Sequence, residues 1–293
     1  MQKFYIGTPT EFDFDLCLQF LQRSPLEKLH RVEDGAVLKL LAIGNQQVLF
    51  RITGQKARLQ VEIMNMRIST RGVRHLKDYI TEWFDLATDL KPFYSMAKKD
   101  KLLKELVRKF HGYRIIGQPD LYESLIWAVL GQQINLGFAY TLKARFVEKY
   151  GASLSGSGHR FYLFPTCNTI AQLSPNDLLP LQFSRQKANY TIGISQAFAV
   201  GKISKEMLTG MPLAQAKEIL IQTKGIGNWT ANYALMKTFR YTDAFPLEDA
   251  GLHNAIKNLK GMQLKPTVEQ VKSIFKKYKG WEAYATLYLW KSL

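Results

Sequence analysis

A glycine–isoleucine–glycine turn between two amphipathic runs, Gly225-Ile226-Gly227, constrains this chain more than any other feature. Ala214 to Gln222 reads as a helix before it, and a second helical run begins near Asn228. The chain must reverse direction within a few residues, which makes a helix–hairpin–helix. Both glycines can adopt positive φ without a Cβ penalty. Their bare backbone lets main-chain N–H groups approach an anion where the next helix points the positive end of its dipole. Ile226 is expected to plug the two helices together, and Thr230 lies in the turn that follows. A phosphate held this way is gripped without reading base sequence. The carbonyls of Ile221, Thr223 and Gly225 can in addition hold a monovalent cation that bridges to it. A plain corner between two helices would explain the glycines alone.

The charge balance favours a polyanion. The chain carries 40 Lys and Arg against 24 Asp and Glu, a formal net charge of +16. Such a surplus attracts nucleic acid by counterion release and electrostatic steering. Two cysteines, Cys17 and Cys167, are too few for a disulfide framework, a zinc ribbon or a four-cysteine cluster. They fit a reducing cytoplasm. The N-terminus has acidic residues where a signal peptide needs an apolar core. No run approaches the roughly 20 apolar residues that span a bilayer. A membrane partner is therefore not expected.

The texture changes once along the chain. Residues 1–92 read as mixed α and β, with short β-like runs at Val37–Ile43, Val48–Ile52 and Leu59–Ile63 bounded by turn residues. Phe14 to Leu21 is ambiguous between strand and helix. Val73 to Leu90 has helical periodicity, and Pro92 marks a boundary. Residues 93–293 read as helical. The basic stretch from Lys98 to Lys109 is expected to be a solvated helix face. Ser153 to His159 reads as a flexible loop. The fold class expected is α+β: a small N-terminal antiparallel β-sheet with helices, then a mainly α-helical core in two parts.

Asp249 ends the block Phe245-Pro246-Leu247-Glu248-Asp249, where a new helix starts. On its own it reads as a helix N-cap worth about 1 kcal/mol. The longer pattern says more. Residues 223–252 resemble the signature of the helix–hairpin–helix DNA glycosylases, most closely the 3-methyladenine DNA glycosylase II type. Gly225 to Tyr233 resembles that family's hairpin. Asp249 stands at the position of its catalytic aspartate. Ile126-Trp127-Ala128-Val129-Leu130-Gly131-Gln132-Gln133-Ile134 resembles the segment carrying the wedge that fills the gap left by an extruded base. Ala283 to Trp290 resembles the helix that closes the pocket.

The resemblance implies an enzyme that flips an alkylated purine out of duplex DNA and hydrolyses its glycosidic bond. Asp249 would stabilise oxocarbenium-like charge on C1′. Trp229, Tyr233 and Trp290 would form an aromatic pocket that attracts a cationic base, although buried aromatics also serve as core. Gln133 would be the inserted wedge, with Gln132 beside it, where the family often has leucine; a polar pair ending a helix is the alternative. Trp229 occupies the place of the lysine that bifunctional relatives use as nucleophile, so no strand cleavage is expected. The four-cysteine motif of cluster-bearing relatives is missing, so no iron–sulfur cluster and no other cofactor is expected. The partner implied is duplex DNA containing damaged bases, and the chain is expected to act as a monomer. Glycosylases for oxidised or deaminated purines, and a non-catalytic hairpin protein that only binds DNA, are the competing readings.

Overall fold

The computed structural model describes residues 2–293. Its N-terminal part is one antiparallel sheet of β1 (Gln2–Gly7), β2 (His30–Glu33), β3 (Ala36–Ile43), β4 (Gln46–Gln55) and β5 (Arg58–Ile63), in the order β1-β5-β4-β3-β2. The three β-like runs read from the sequence are β3, β4 and β5. Their period-two pattern buries Leu59, Val61 and Ile63 along β5, and Val48, Phe50 and Ile52 along β4. Two helices cover that face: α1 (Phe14–Leu21) and α2 (Thr70–Trp83). The ambiguous segment is helical because Asp13 caps it, accepting from the Leu16 N–H at 2.9 Å.

The helix expected to run to Leu90 stops at Trp83. Asp85 follows with φ of 51°, a conformation that ends a helix, and its buried carboxylate is engaged by Thr88 and Tyr284. Pro92 stands in the first turn of α3 (Lys91–Ala97), where its missing N–H is no loss. After α4 (Lys104–Lys109) an extended segment leads into the helical core. Arg114, fully buried there, donates to the carbonyls of Glu11, Asp85 and Thr88 and so ties that segment to the N-terminal part. The lysines of the basic stretch are exposed, as a solvated face requires.

The core has two helical bodies. One gathers α5 (Leu121–Gly131), α6 (Leu136–Tyr150), the short α7 (Cys167–Ala171) and α8 (Pro175–Leu178), α9 (Arg185–Ala199), α10 (Lys205–Leu208), α11 (Leu213–Ile221) and α12 (Asn228–Phe239). The other packs α3 and α4 against α13 (Ala250–Leu259), α14 (Val268–Phe275) and α15 (Glu282–Trp290). The Ser153–His159 stretch is not a loose loop. It forms a hairpin of β6 (Ser153–Gly156) and β7 (His159–Tyr162), closed by Ser157 and Gly158 at φ of 49° and 76°. Two successive left-handed residues match the twist of a tight hairpin.

Candidate active site and hairpin

The bodies meet around Asp249, which precedes α13 as its N-cap. Its Oδ1 accepts from the Leu252 N–H at 2.7 Å and from the Trp290 indole at 2.8 Å; its Oδ2 accepts from the Trp229 indole at 3.0 Å. The N-cap and the acceptor of two indoles are therefore one side chain. Oδ1 is doubly occupied, whereas Oδ2 keeps a lone pair. The two indoles come from different bodies, α12 and the end of α15, so the carboxylate is fixed across their junction. Glu248, the neighbouring acid, is exposed and makes no hydrogen bond among the described residues.

Trp229 stacks on Tyr233 one helical turn along α12, with ring centres 5.3 Å apart and 21° between planes. The Tyr233 hydroxyl accepts from the Trp127 indole at 3.0 Å, and Trp127 packs on Tyr140. The pocket aromatics read from the sequence are thus brought together at Asp249. Tyr233 is almost buried, while Trp229 and Trp290 keep exposed surface. Gly251 was not singled out in the sequence. A Cβ there would meet Asp249 Oδ1 at 3.0 Å and Trp290 Cδ1 at 3.4 Å, so glycine preserves the contact between acid and indole.

The hairpin lies at the other end of Trp229. Gly225 has φ of 98°, and a Cβ on it would strike the Tyr190 ring at 2.5 Å. Gly227 differs from the expectation: at φ of −90° it is the ordinary extended N-cap of α12, and a Cβ there meets nothing within 4 Å. Its bareness leaves the approach to the helix start open. No side chain caps α12, so the first N–H groups after Gly227 have no intrahelical partner and face an exposed turn. Ile226 is buried against both helices, as a plug should be. Thr230 contributes no hydroxyl to that surface, since it is buried and accepts from Gln132 at 3.0 Å. The Thr223 and Gly225 carbonyls each already accept one hydrogen bond, from the Ile226 N–H and the Gln132 amide. Each oxygen has a second lone pair, and the Ile221 carbonyl completes the group proposed for a cation.

Gln132 is held by its side chain rather than free at the tip. Its amide clips the turn after α5 to the hairpin, through Gly225 O and Thr230 Oγ1. Lys187 of α9 donates to the carbonyls of Val129, Leu130 and Gln132 and holds the same turn. This support leaves Gln133 at the tip, exposed and at φ of 57°. No sequence signal pairs Lys187 with carbonyls nearly 60 residues away.

Comparison with known proteins agrees with this geometry. Residues 126–280 match the family described as HhH-GPD superfamily base excision DNA repair protein, and residues 7–125 match the N-terminal domain of 8-oxoguanine DNA glycosylase. The chain is 43% identical to a DNA-3-methyladenine glycosylase of Bacillus subtilis (strain 168), over 98% of this chain and 96% of that protein. Escherichia coli (strain K12) DNA-3-methyladenine glycosylase 2 is 29% identical over 61% of this chain and 60% of its own length. Among solved structures, a 3-methyladenine DNA-glycosylase from Archaeoglobus fulgidus shares the fold with a TM-score of 0.85, at 23% identity, covering 98% of this chain and 97% of that one. With a family match that takes in the hairpin, the aromatic stack and Asp249, the chain belongs to the helix–hairpin–helix superfamily of base excision DNA repair proteins.

Proposed function

We propose that this protein is a monofunctional DNA glycosylase that extrudes alkylated purines from duplex DNA and hydrolyses the C1′–N bond, leaving an abasic site. The carrying observation is the Asp249 carboxylate, held by two indole N–H groups beside an aromatic stack and within one helix of an uncapped hairpin. Residues 1–92 form the N-terminal α+β part in this reading, and 93–293 the glycosylase core. The hairpin N–H groups grip a phosphate of the damaged strand, with a monovalent cation at the Ile221, Thr223 and Gly225 carbonyls as an auxiliary. Gln133 fills the space vacated by the base, and its amide can pair with the orphaned partner. As the base departs, C1′ gains positive charge, which ionised Asp249 stabilises at close range. The same carboxylate can orient the attacking water. Trp229 offers no amine for a Schiff base, so the strand stays intact. The protein works as a monomer on duplex DNA in the cytoplasm.

Incubating wild type and Asp249→Asn with methylated duplex DNA, and measuring free base, tests the reading. Wild type should release 3-methyladenine and leave alkali-labile abasic sites. The variant should lose at least about a hundredfold in rate, the scale of a removed electrostatic stabiliser. Equal release by the variant removes Asp249 from the mechanism, and no release by wild type leaves only a binding protein.

A further inference from the structure

The turn between α5 and α6 divides its side chains between core and solvent. Ile134 and Phe138 pack against the apolar clusters of the helical core. Between them Asn135 caps α6, accepting from the Phe138 N–H at 2.8 Å. Leu136, the first residue of α6, is 52% exposed and joins no apolar cluster among the described residues. Gly137 is exposed as well, and a Cβ on it would meet only Asn135 Oδ1, at 3.4 Å. Packing therefore requires neither residue. A glycine is unfavourable within a helix, and an exposed leucine gains nothing from folding. An apolar side chain beside bare backbone, at the tip that carries Gln133, asks for a partner outside the chain.

The same turn is braced twice. The Gln132 amide donates to the Gly225 carbonyl and to Thr230 Oγ1, both at 3.0 Å. The buried Lys187 ammonium meets the carbonyls of Val129, Leu130 and Gln132 at 3.0, 3.0 and 2.6 Å, so each of its N–H groups has an acceptor. Gln133 and Leu136 thus stand on a backbone that resists displacement. They are three residues apart, at most about 11 Å along the chain. The local charge suits a polyanion. No acidic residue stands between Glu123 and Glu148, and Arg185, two residues before Lys187, is exposed.

We propose that Leu136 is the apolar half of a two-residue wedge, pressing between the base pairs next to the lesion while Gln133 takes the place of the extruded base. The inference rests on the glycosylase reading and assigns a second residue to its extrusion step. The two side chains divide the work by their chemistry. The Gln133 amide can hydrogen-bond the orphaned base, but it replaces lost stacking poorly. Leu136 has no polar group to satisfy. An apolar side chain driven into a base step partly unstacks it and kinks the duplex. Unstacking beside the lesion lowers the cost of turning that nucleotide out. The braces at Gln132 and Lys187 matter for this step, because a wedge on a yielding turn is pushed aside before the bases part. Burying Leu136 in the complex also adds a contact that salt does not weaken, unlike the phosphate contacts of the hairpin.

Leu136→Ala and Leu136→Phe change an exposed side chain, so both variants should melt with wild type. Single-turnover release of a methylated purine is compared between a fully paired duplex and one that carries the lesion in a bulge, where no pair has to be broken. In Leu136→Ala, release from the paired duplex should fall about tenfold and release from the bulge less than about threefold. Leu136→Phe should restore the paired rate to within about threefold of wild type. A 2-aminopurine placed beside the lesion should brighten when wild type or Leu136→Phe binds and stay quenched with Leu136→Ala. Equal losses on both substrates overturn the proposal by making Leu136 a general contact. Paired release within about twofold of wild type in Leu136→Ala, with unchanged fluorescence, overturns it as well. Wild type that releases no base overturns the proposed function, and the fluorescence then decides the wedge by itself.

Discussion

At the scale of single residues, Asp249 joins a helix cap to two indole donors from separate elements. An N-cap aspartate needs only the Leu252 N–H. The two indole donors go beyond capping, because they fix the carboxylate in the plane where Trp229 and Trp290 converge. Charge stabilisation depends on such prior placement, since a carboxylate that must reorganise loses most of its advantage. Trp290→Phe keeps an aromatic wall and deletes one donor. It is expected to lower single-turnover cleavage by roughly tenfold to a hundredfold, below the effect of losing the acid itself. Affinity for a duplex already holding an abasic site should change much less, because no base occupies the pocket there. A variant that lost affinity and rate in equal proportion would make Trp290 a packing residue. The motif made Asp249 and the tryptophans legible in the sequence. The hydrogen bonds between them were not, since the partners stand 20 and 41 residues apart in the chain and only the closed fold sets their distance.

Among the elements, the hairpin carries the plainest division of labour. Its two glycines look equivalent in sequence and are not. Gly225 is required by its left-handed backbone and by the Tyr190 ring beneath it, whereas Gly227 is open and extended. Gly225→Ala forces a strained φ and a collision, so the turn must shift and take the α12 N–H groups out of line. Gly227→Ala leaves the turn in place and adds a methyl at the approach to the helix start. Both substitutions should weaken binding to undamaged duplex at matched salt, with Gly225→Ala also lowering the melting temperature. Gln132→Ala removes the clip to Gly225 and Thr230 and should loosen the turn that presents Gln133. Its loss should therefore appear in excision from paired lesions more than in affinity for undamaged duplex, read by gel shift and single-turnover cleavage. An effect confined to undamaged duplex would assign Gln132 to the hairpin alone. Local pattern revealed the glycines, the plug and the strands β3 to β5. It missed the β6–β7 hairpin, because Ser157-Gly158 sits among Ser and Gly residues that give a short strand no apolar alternation.

For the whole molecule, the contacts that join its parts are the ones that local pattern does not carry. Arg114 and Asp85 carry no local signal of burial and are buried. Glu27 and Lys143 stand 116 residues apart, and their side chains are 8% and 7% exposed where the N-terminal part docks on α6. Burial pushes the Glu27 carboxyl up, but the Lys143 ammonium outweighs it, with His30 adding to the same effect, and holds Glu27 well below the ordinary carboxylate range. Lys143 is raised in turn, against its own desolvation. The folded state thus binds fewer protons at Glu27 than the unfolded chain does. The stability this contributes is complete above the unfolded carboxylate pKa of about 4.3 and is lost progressively as pH falls toward the depressed folded value. Glu27→Gln leaves the Lys143 ammonium buried with no counter-charge, a change of about 3 kcal/mol or more, on the order of 5–10 °C in Tm for a chain this long. Thermal melts of wild type and variant from pH 7 to pH 3 should show that gap constant down to about pH 5 and closing below it. A gap that stays the same at pH 3 would mean the carboxylate does not hold the junction, and that apolar packing between the sheet layer and the helices carries it instead.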